Sequence, residues 1–279
     1  MSLTRMDTLL MEARRKGQAI GAFECWNSDN IHAIAIAAAE TGSPVIFQAS
    51  PAEYGLMGGP DVLRRIVETY VEKYGITAAL HLDHGSTIEH VRECLAAGFT
   101  SVMLDASTLP YAENCALARQ SCELAHPLNV SVEAELGHVG GVAEGGVAAE
   151  AALTVPDEAV RFVAESGVDC LAVAIGTVHG DYRGKPELRL GRLKEIAERV
   201  AVPLVLHGGS GTPPDQLAKA IALGIAKINI CTEIDKTYIA AIKDAEGKLT
   251  PSVPGNYYRP AVAAVAAHVA RLIRQFRGE

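Results

Sequence analysis

A chain of 279 residues, 49% of them hydrophobic, can bury a core without disulfide or metal staples, which excludes a disordered polypeptide and a mini-protein scaffold. Its formal net charge of −8 offers no basic field for a nucleic-acid backbone or an anionic membrane, so any anionic ligand must be held by local groups. The cysteines, Cys25, Cys94, Cys115, Cys122, Cys170 and Cys231, form no Cys-x-x-Cys pair and read as reduced, small core hydrophobes.

From the N-terminus, Arg5, Asp7, Glu12, Arg14, Arg15 and Lys16 interrupt the apolar residues of the Met1–Gly17 stretch, which therefore lacks the apolar core of a signal peptide. The runs Ile31–Ala39 and Ala261–Val269 are too short to span a membrane, and a cytoplasmic protein is expected. Ala19–Phe23 predicts a first strand, followed by a helix over Asn30–Thr41 that Gly42 closes. Pro44–Gln48 and the helical pattern Pro60–Tyr74 repeat the unit, as do Ala79–Leu82 with Thr87–Ala97 and Ser101–Leu104 with Pro110–Ala125. Val130–Glu135 comes next. The Gly-rich stretch Gly137–Ala152 that follows reads as a loop over the strand ends, ahead of a helix over Pro156–Ser166. Cys170–Ile175 with Leu188–Val200, Pro203–Leu206 with Pro213–Leu223, and Lys227–Ile230 complete the series, and Lys243–Tyr258 reads as irregular before a last helix.

Near-continuous apolar strands are those of a parallel sheet buried on both faces, and strand and helix alternate without a linker. The expectation is one α/β domain, a (β/α)8 TIM barrel over residues 1–279. An open doubly wound sheet is the alternative, but no Gly-x-Gly-x-x-Gly turn follows the first strand.

In such a barrel the chemistry lies where strands end. His84, His179 and His207 stand at the ends of three strands, each followed by glycine, the arrangement by which neutral imidazoles hold a catalytic zinc with one position open. His81, on the opposite pleat parity from His84, is expected beside the site and not in it. Gly208, Gly209, Ser210 and Gly211 lead from strand seven into a Pro-initiated helix. With Asn229, Cys231 and Thr232 after strand eight, they form a candidate phosphate niche.

Taken together, His81-Leu82-Asp83-His84, Val132 to Gly137, Ala174 to Gly180, Leu206 to Gly211 and Lys227 to Ile230 resemble the class II, zinc-dependent ketose-bisphosphate aldolases, most of all the tagatose-bisphosphate aldolase branch. The resemblance implies that His84, His179 and His207 bind Zn2+ and that Asp83 is the acid/base on the aldehyde-derived oxygen. It also implies that Gly180, the two strand-end loops and Ser50 hold dihydroxyacetone phosphate, and that Asp105 and Glu135 match a second metal position. A monovalent cation (Na+ or K+) and a homodimeric or homotetrameric state belong to the same implication. The chemistry agrees, since no lysine stands at a matching strand end to form a Schiff base and a Lewis acid is the available electron sink.

This chain departs from the family pattern in places. Where relatives carry a glutamate that moves the C3 proton, it reads Val142-Ala143, and Glu144 one place later is the candidate for that role. It reads Phe23-Glu24 where relatives read Phe-Asn, Cys231 where fructose-bisphosphate enzymes have aspartate, and Asp235 where they commonly have a base, with Lys236 and Arg259 as possible substitutes. The expected activity is reversible aldol cleavage of a ketose phosphate, either tagatose/fructose-bisphosphate-like or a ketose 1-phosphate, to dihydroxyacetone phosphate and an aldehyde, with a preferred substrate other than fructose 1,6-bisphosphate. A zinc-dependent barrel hydrolase and a non-catalytic sugar-phosphate sensor are the alternatives.

Overall fold

The computed structural model describes residues 3–141, 152–182, 184, 186–246 and 253–279. Strands β1 (Ile20–Glu24), β2 (Val45–Ala49), β3 (Ala78–Gly85), β4 (Ser101–Leu104), β5 (Ser131–Leu136), β6 (Cys170–Val173), β7 (Leu204–Leu206) and β8 (Ile225–Ile230) pair in parallel in chain order, and β1 meets β8 to close the barrel. Around them run α1 (Met6–Arg15), α2 (Ser28–Thr41), α3 (Pro51–Leu56), α4 (Pro60–Tyr74), α5 (Ile88–Ala97), α6 (Tyr111–Ala125), α7 (Pro156–Ser166), α8 (Leu190–Ala197), α9 (Pro214–Ala222), α10 (Thr232–Glu246) and α11 (Gly255–Phe276).

Local chemistry sets the boundaries. Asn27 and Asn30 cap α2 reciprocally, Thr87 accepts the His90 N–H at the start of α5, and Gly42 and Gly98 end their helices in the left-handed conformation. The outward faces of the strands pack under the helices. The inward faces split into two zones.

At the N-terminal end the barrel is apolar. Ile20, Ala22, Ile46, Ala79, Cys170, Ala172, Val205 and Ala226 pack with Met6, Leu9, Leu10 and Ala13 of α1, which stoppers that end. At the C-terminal end Glu24, Gln48, His81, Asp83, Glu133, Glu135, His207, Lys227 and Asn229 are all buried. Dry walls below and around these polar groups force them to satisfy one another, and any left unpaired must face a ligand.

Two expectations are corrected. Helices α1, α3 and α10 were not anticipated. The stretch Lys243–Tyr258 is not irregular throughout, because Lys243–Glu246 belong to α10 and Gly255–Tyr258 to α11. Its Pro251, Pro254 and Gly255 masked the amphipathic pattern on either side.

Candidate active site

Neighbouring residues of a regular strand point to opposite faces, yet Asp83 and His84 both turn toward the barrel mouth. The cause is an irregularity in the β3–β4 register between Leu82 and Gly85, with His84 at φ +46°, a left-handed conformation rare for a non-glycine residue. Strain of this kind concentrates at functional sites. His81 lies beside the site, its Nε2 4.0 Å from Asp83 Oδ1 and 3.7 Å from Glu133 Oε2. His81 is fully buried, with Nδ1 2.8 Å from Ser101 Oγ.

His84, His179 and His207 arrive from β3, the loop after β6 and the end of β7, and one ring nitrogen of each lies within 4.8 Å of the others. Their ring centroids are 4.9, 4.7 and 5.8 Å apart. His84 Nδ1 sits 2.6 Å from Asp105 Oδ2 and His207 Nε2 sits 2.7 Å from Glu133 Oε1, which assigns the ring proton to those nitrogens. The opposite atoms, His84 Nε2 and His207 Nδ1, are buried and make no well-aligned hydrogen bond, as is true of His179 Nε2, although Glu135 Oε2 stands 3.1 Å from His207 Nδ1. Three imidazole nitrogens aimed at one point, two of them fixed by carboxylates behind, are the donor set of a metal site. The residues therefore fit the ion that the sequence implies.

Without such an ion the charges of the site act on the rings. Burial alone opposes protonation, and at His179 it prevails, taking the ring down to about 4. At His84 burial is outweighed by Asp83 and the Asp105 hydrogen bond, which raise it to about 10. Glu133 and Glu135 likewise outweigh burial at His207 and raise it to about 9.

Asp83 is nearly buried, and its carboxylate is held by two amides, accepting from Gln48 Nε2 at 2.9 Å and Asn229 Nδ2 at 3.1 Å. Burial would raise its pKa, but His84 and Lys227 hold it below the usual aspartate value. The same Gln48 Nε2 also donates to Glu24 Oε2 at 3.1 Å, while Glu24 Oε1 accepts the Ser50 N–H at 2.8 Å. Burial, followed by the Asp83 charge, pushes Glu24 up to about 8.

The other anticipated residues fall around this centre. Glu135 Oε1 accepts the Val139 N–H, and Oε2 lies 3.1 Å from His207 Nδ1. Glu135, His84 and Asp105 can also bring ligand atoms within 4.8 Å of one another. The Gly208–Gly211 loop and the start of α10 interlock, since Ser210 Oγ accepts the N–H groups of Cys231 and Glu233. Gly208 has φ +63° and an added Cβ would stand 2.4 Å from Val178 O, so only glycine fits this turn. Two N–H groups of the expected phosphate niche are engaged, Gly209 with Asn229 O and Gly211 with Glu233 Oε1 at 2.6 Å. Ser50 caps α3 through its Oγ, Gly180 turns at φ +83°, and Thr232 begins α10. Glu144 and its neighbours Val142-Ala143 lie outside the described residues.

Sequence reasoning missed the support beneath the metal ligands. Lys227 is fully buried and donates to Glu133 Oε2 at 2.9 Å, while Glu133 Oε1 holds His207. The signal was present as a lysine inside the apolar strand Ile225–Ile230, where a charge must find a partner.

Fold and site together define a metal-dependent (β/α)8-barrel enzyme. The model of the class-II fructose-bisphosphate aldolase family matches residues 4–279. The chain is 41% identical over 279 residues to a probable fructose-bisphosphate aldolase of Bacillus subtilis, covering 99% of this chain and 98% of that protein. It is 43% identical over 245 residues to the 6-phospho-5-dehydro-2-deoxy-D-gluconate aldolase of Halalkalibacterium halodurans, covering 87% and 85%. Among solved structures, the YdjI aldolase of Escherichia coli K12 superposes with a TM-score of 0.87 at 33% identity, covering 98% of this chain and 97% of that one. The chain belongs to the class-II fructose-bisphosphate aldolase family.

Proposed function

We propose that the protein catalyses the reversible aldol cleavage of a ketose 1-phosphate to dihydroxyacetone phosphate and an aldehyde, with Zn2+ held by His84, His179 and His207. The observation that carries this reading is the convergence of three imidazole nitrogens beside an ionised, doubly anchored Asp83. Zinc suits a site of nitrogen donors with one position left for substrate. When bound, the metal supplies the electron sink for the carbonyl side of the breaking carbon–carbon bond.

The chain's own groups account for the rest. Asp83, kept ionised by His84 and Lys227, takes the proton from the hydroxyl of the carbon that becomes the aldehyde and returns it in condensation. Gln48 and Asn229 fix both of its oxygens, so its remaining lone pairs keep one direction. The loops at Gly208–Gly211 and Asn229–Thr232, with Gly180 and Ser50, receive the phosphate, and the positive end of α10 favours an anion there. Glu144 remains the candidate for moving the C3 proton. Asp105 and Glu135 are candidates for a second metal.

Metal analysis coupled to an assay for dihydroxyacetone phosphate release tests the reading. Stoichiometric zinc with triose phosphate release from a ketose phosphate supports it, whereas zinc with ester or amide hydrolysis, or sugar-phosphate binding without turnover, contradicts it. A cytoplasmic setting and a homodimer or homotetramer are parts of the same proposal. Among the described residues no helix is long and apolar enough to cross a membrane. Sedimentation velocity checks the assembly, and exchange of Na+ for K+ during the assay checks the monovalent cation.

A further inference from the structure

The mouth of the barrel above β1, β2 and β8 has a chemical character that the cleavage reaction does not explain. Glu24 and Gln48 face each other as register partners on β1 and β2, and Gln48 is paired in turn with His81 on β3. Gln48 is 1% exposed and spends its Nε2 on both Glu24 and Asp83, which leaves Oε1 buried with no donor. Asn229, 6% exposed, likewise gives Nδ2 to Asp83 and leaves Oδ1 without a donor. Beyond them the Cys231 thiol donates to Asp235 Oδ2 at 3.3 Å, and Asp235 Oδ1 is a further buried oxygen that makes no well-aligned hydrogen bond, with the Trp26 indole N–H as the donor beside this carboxylate.

Among the described residues, the charges acting most strongly on Glu24, Glu53, Cys231 and Asp235 come from one another and from Asp83, none from a lysine or arginine. Of the basic side chains that might have served this region, Lys236 is paired with Asp181 and Arg259 is exposed. A lining that among the described residues is rich in unpaired oxygens and short of cations needs a ligand that donates hydrogen bonds. Sugar hydroxyls donate. An ionised phosphate or carboxylate only accepts, and it meets like charge at short range. Even a proton on Glu24 adds a single O–H against these acceptors.

We propose that this region receives the distal end of the ketose as an uncharged, hydroxyl-bearing chain, and that Asp235, with Glu24 and Gln48, selects against substrates ending in phosphate or carboxylate. The proposal rests on the aldolase reading above and names its substrate class. Three contrasts follow from the chemistry of the end group: ketose 1-phosphates ending in hydroxymethyl, fructose and tagatose 1,6-bisphosphates ending in phosphate, and 6-phospho-5-dehydro-2-deoxy-D-gluconate ending in carboxylate.

The test is kcat/KM for triose phosphate release from each class with the zinc-loaded wild-type protein. Hydroxymethyl-ended substrates are expected to exceed both anionic classes by about tenfold or more. In Asp235→Asn that ratio should shrink, and in Asp235→Lys it should move further toward the bisphosphates. Equal or better cleavage of either anionic class by the wild type, or an unchanged ratio in both variants, overturns the proposal while leaving the aldolase reading in place. Failure to release triose phosphate from any of the three classes would instead sink the aldolase reading.

Discussion

Glu133 accepts the Nε2–H of His207 at 2.7 Å from beneath, so Nδ1 is the atom that His207 presents to the cluster. Because Lys227 holds the other carboxylate oxygen, Glu133 cannot turn away, and the orientation of a proposed metal ligand at the end of β7 is fixed through Glu133 of β5 and Lys227 of the neighbouring β8. Glu133→Gln should therefore weaken metal binding by about 10–100-fold, read by competition with a chelator. Lys227→Met strands a buried carboxylate and should cost about 3–5 kcal/mol of stability in thermal or urea unfolding. The double variant Glu133→Gln with Lys227→Met should regain much of that stability but not the metal affinity. Recovery of both would reduce the pair to packing.

Asp83→Ala is expected to lower kcat for cleavage by about 10²–10⁴-fold. Its metal content should stay near that of the wild type, because Asp83 offers none of the three converging nitrogens. Loss of the metal in this variant would mean that Asp83 is a ligand and not the proton carrier.

Glu144→Ala tests the C3 proton. Solvent exchange of that proton in dihydroxyacetone phosphate should slow much more than binding weakens. Unchanged exchange would transfer the role to another group, and Glu24, beside Asp83 through the shared Gln48 amide, is the next to examine.

The turn after His207 depends on glycine. Gly208→Ala puts a Cβ 2.4 Å from Val178 O at φ +63°, whereas Gly17→Ala has a similar φ of +65° but open space around it. Gly17→Ala should cost only the left-handed backbone penalty, about 1–2 kcal/mol. Gly208→Ala should cost visibly more in the unfolding midpoint and should weaken metal binding too, since the adjacent His207 must move. Equal losses would show that the close approach to Val178 relaxes freely.

The sequence made the barrel legible because its strands are short apolar runs with Gly and Pro at the helix ends, signals that survive without tertiary context. The three histidines were legible because each ends a strand and precedes a glycine. Other features needed coordinates. The irregularity at Asp83-His84 depends on strand register, which alternation alone does not reveal. Helix α1 was passed over because its role, stoppering the barrel with Met6, Leu9 and Leu10, exists only once the barrel is closed. Gln48 read as the last residue of a strand, and nothing local marks it as the bridge between Glu24 and Asp83. The engagement of Gly211 N–H by the Glu233 carboxylate also arises only when two loops meet.

The central claim is a metal held by His84, His179 and His207, and the most direct measurement is X-ray absorption at the metal edge of the zinc-loaded protein, with metal stoichiometry for His179→Ala beside it. His179 is the apt position because, unlike the other two, it has no carboxylate bonded to its ring that would be stranded by the change. The account predicts one zinc per chain with three imidazole nitrogens at about 2.0–2.1 Å in the wild type, and loss of tightly held zinc in the variant. A first shell without three imidazoles, or a His179→Ala protein that retains its zinc with unchanged affinity, would contradict it.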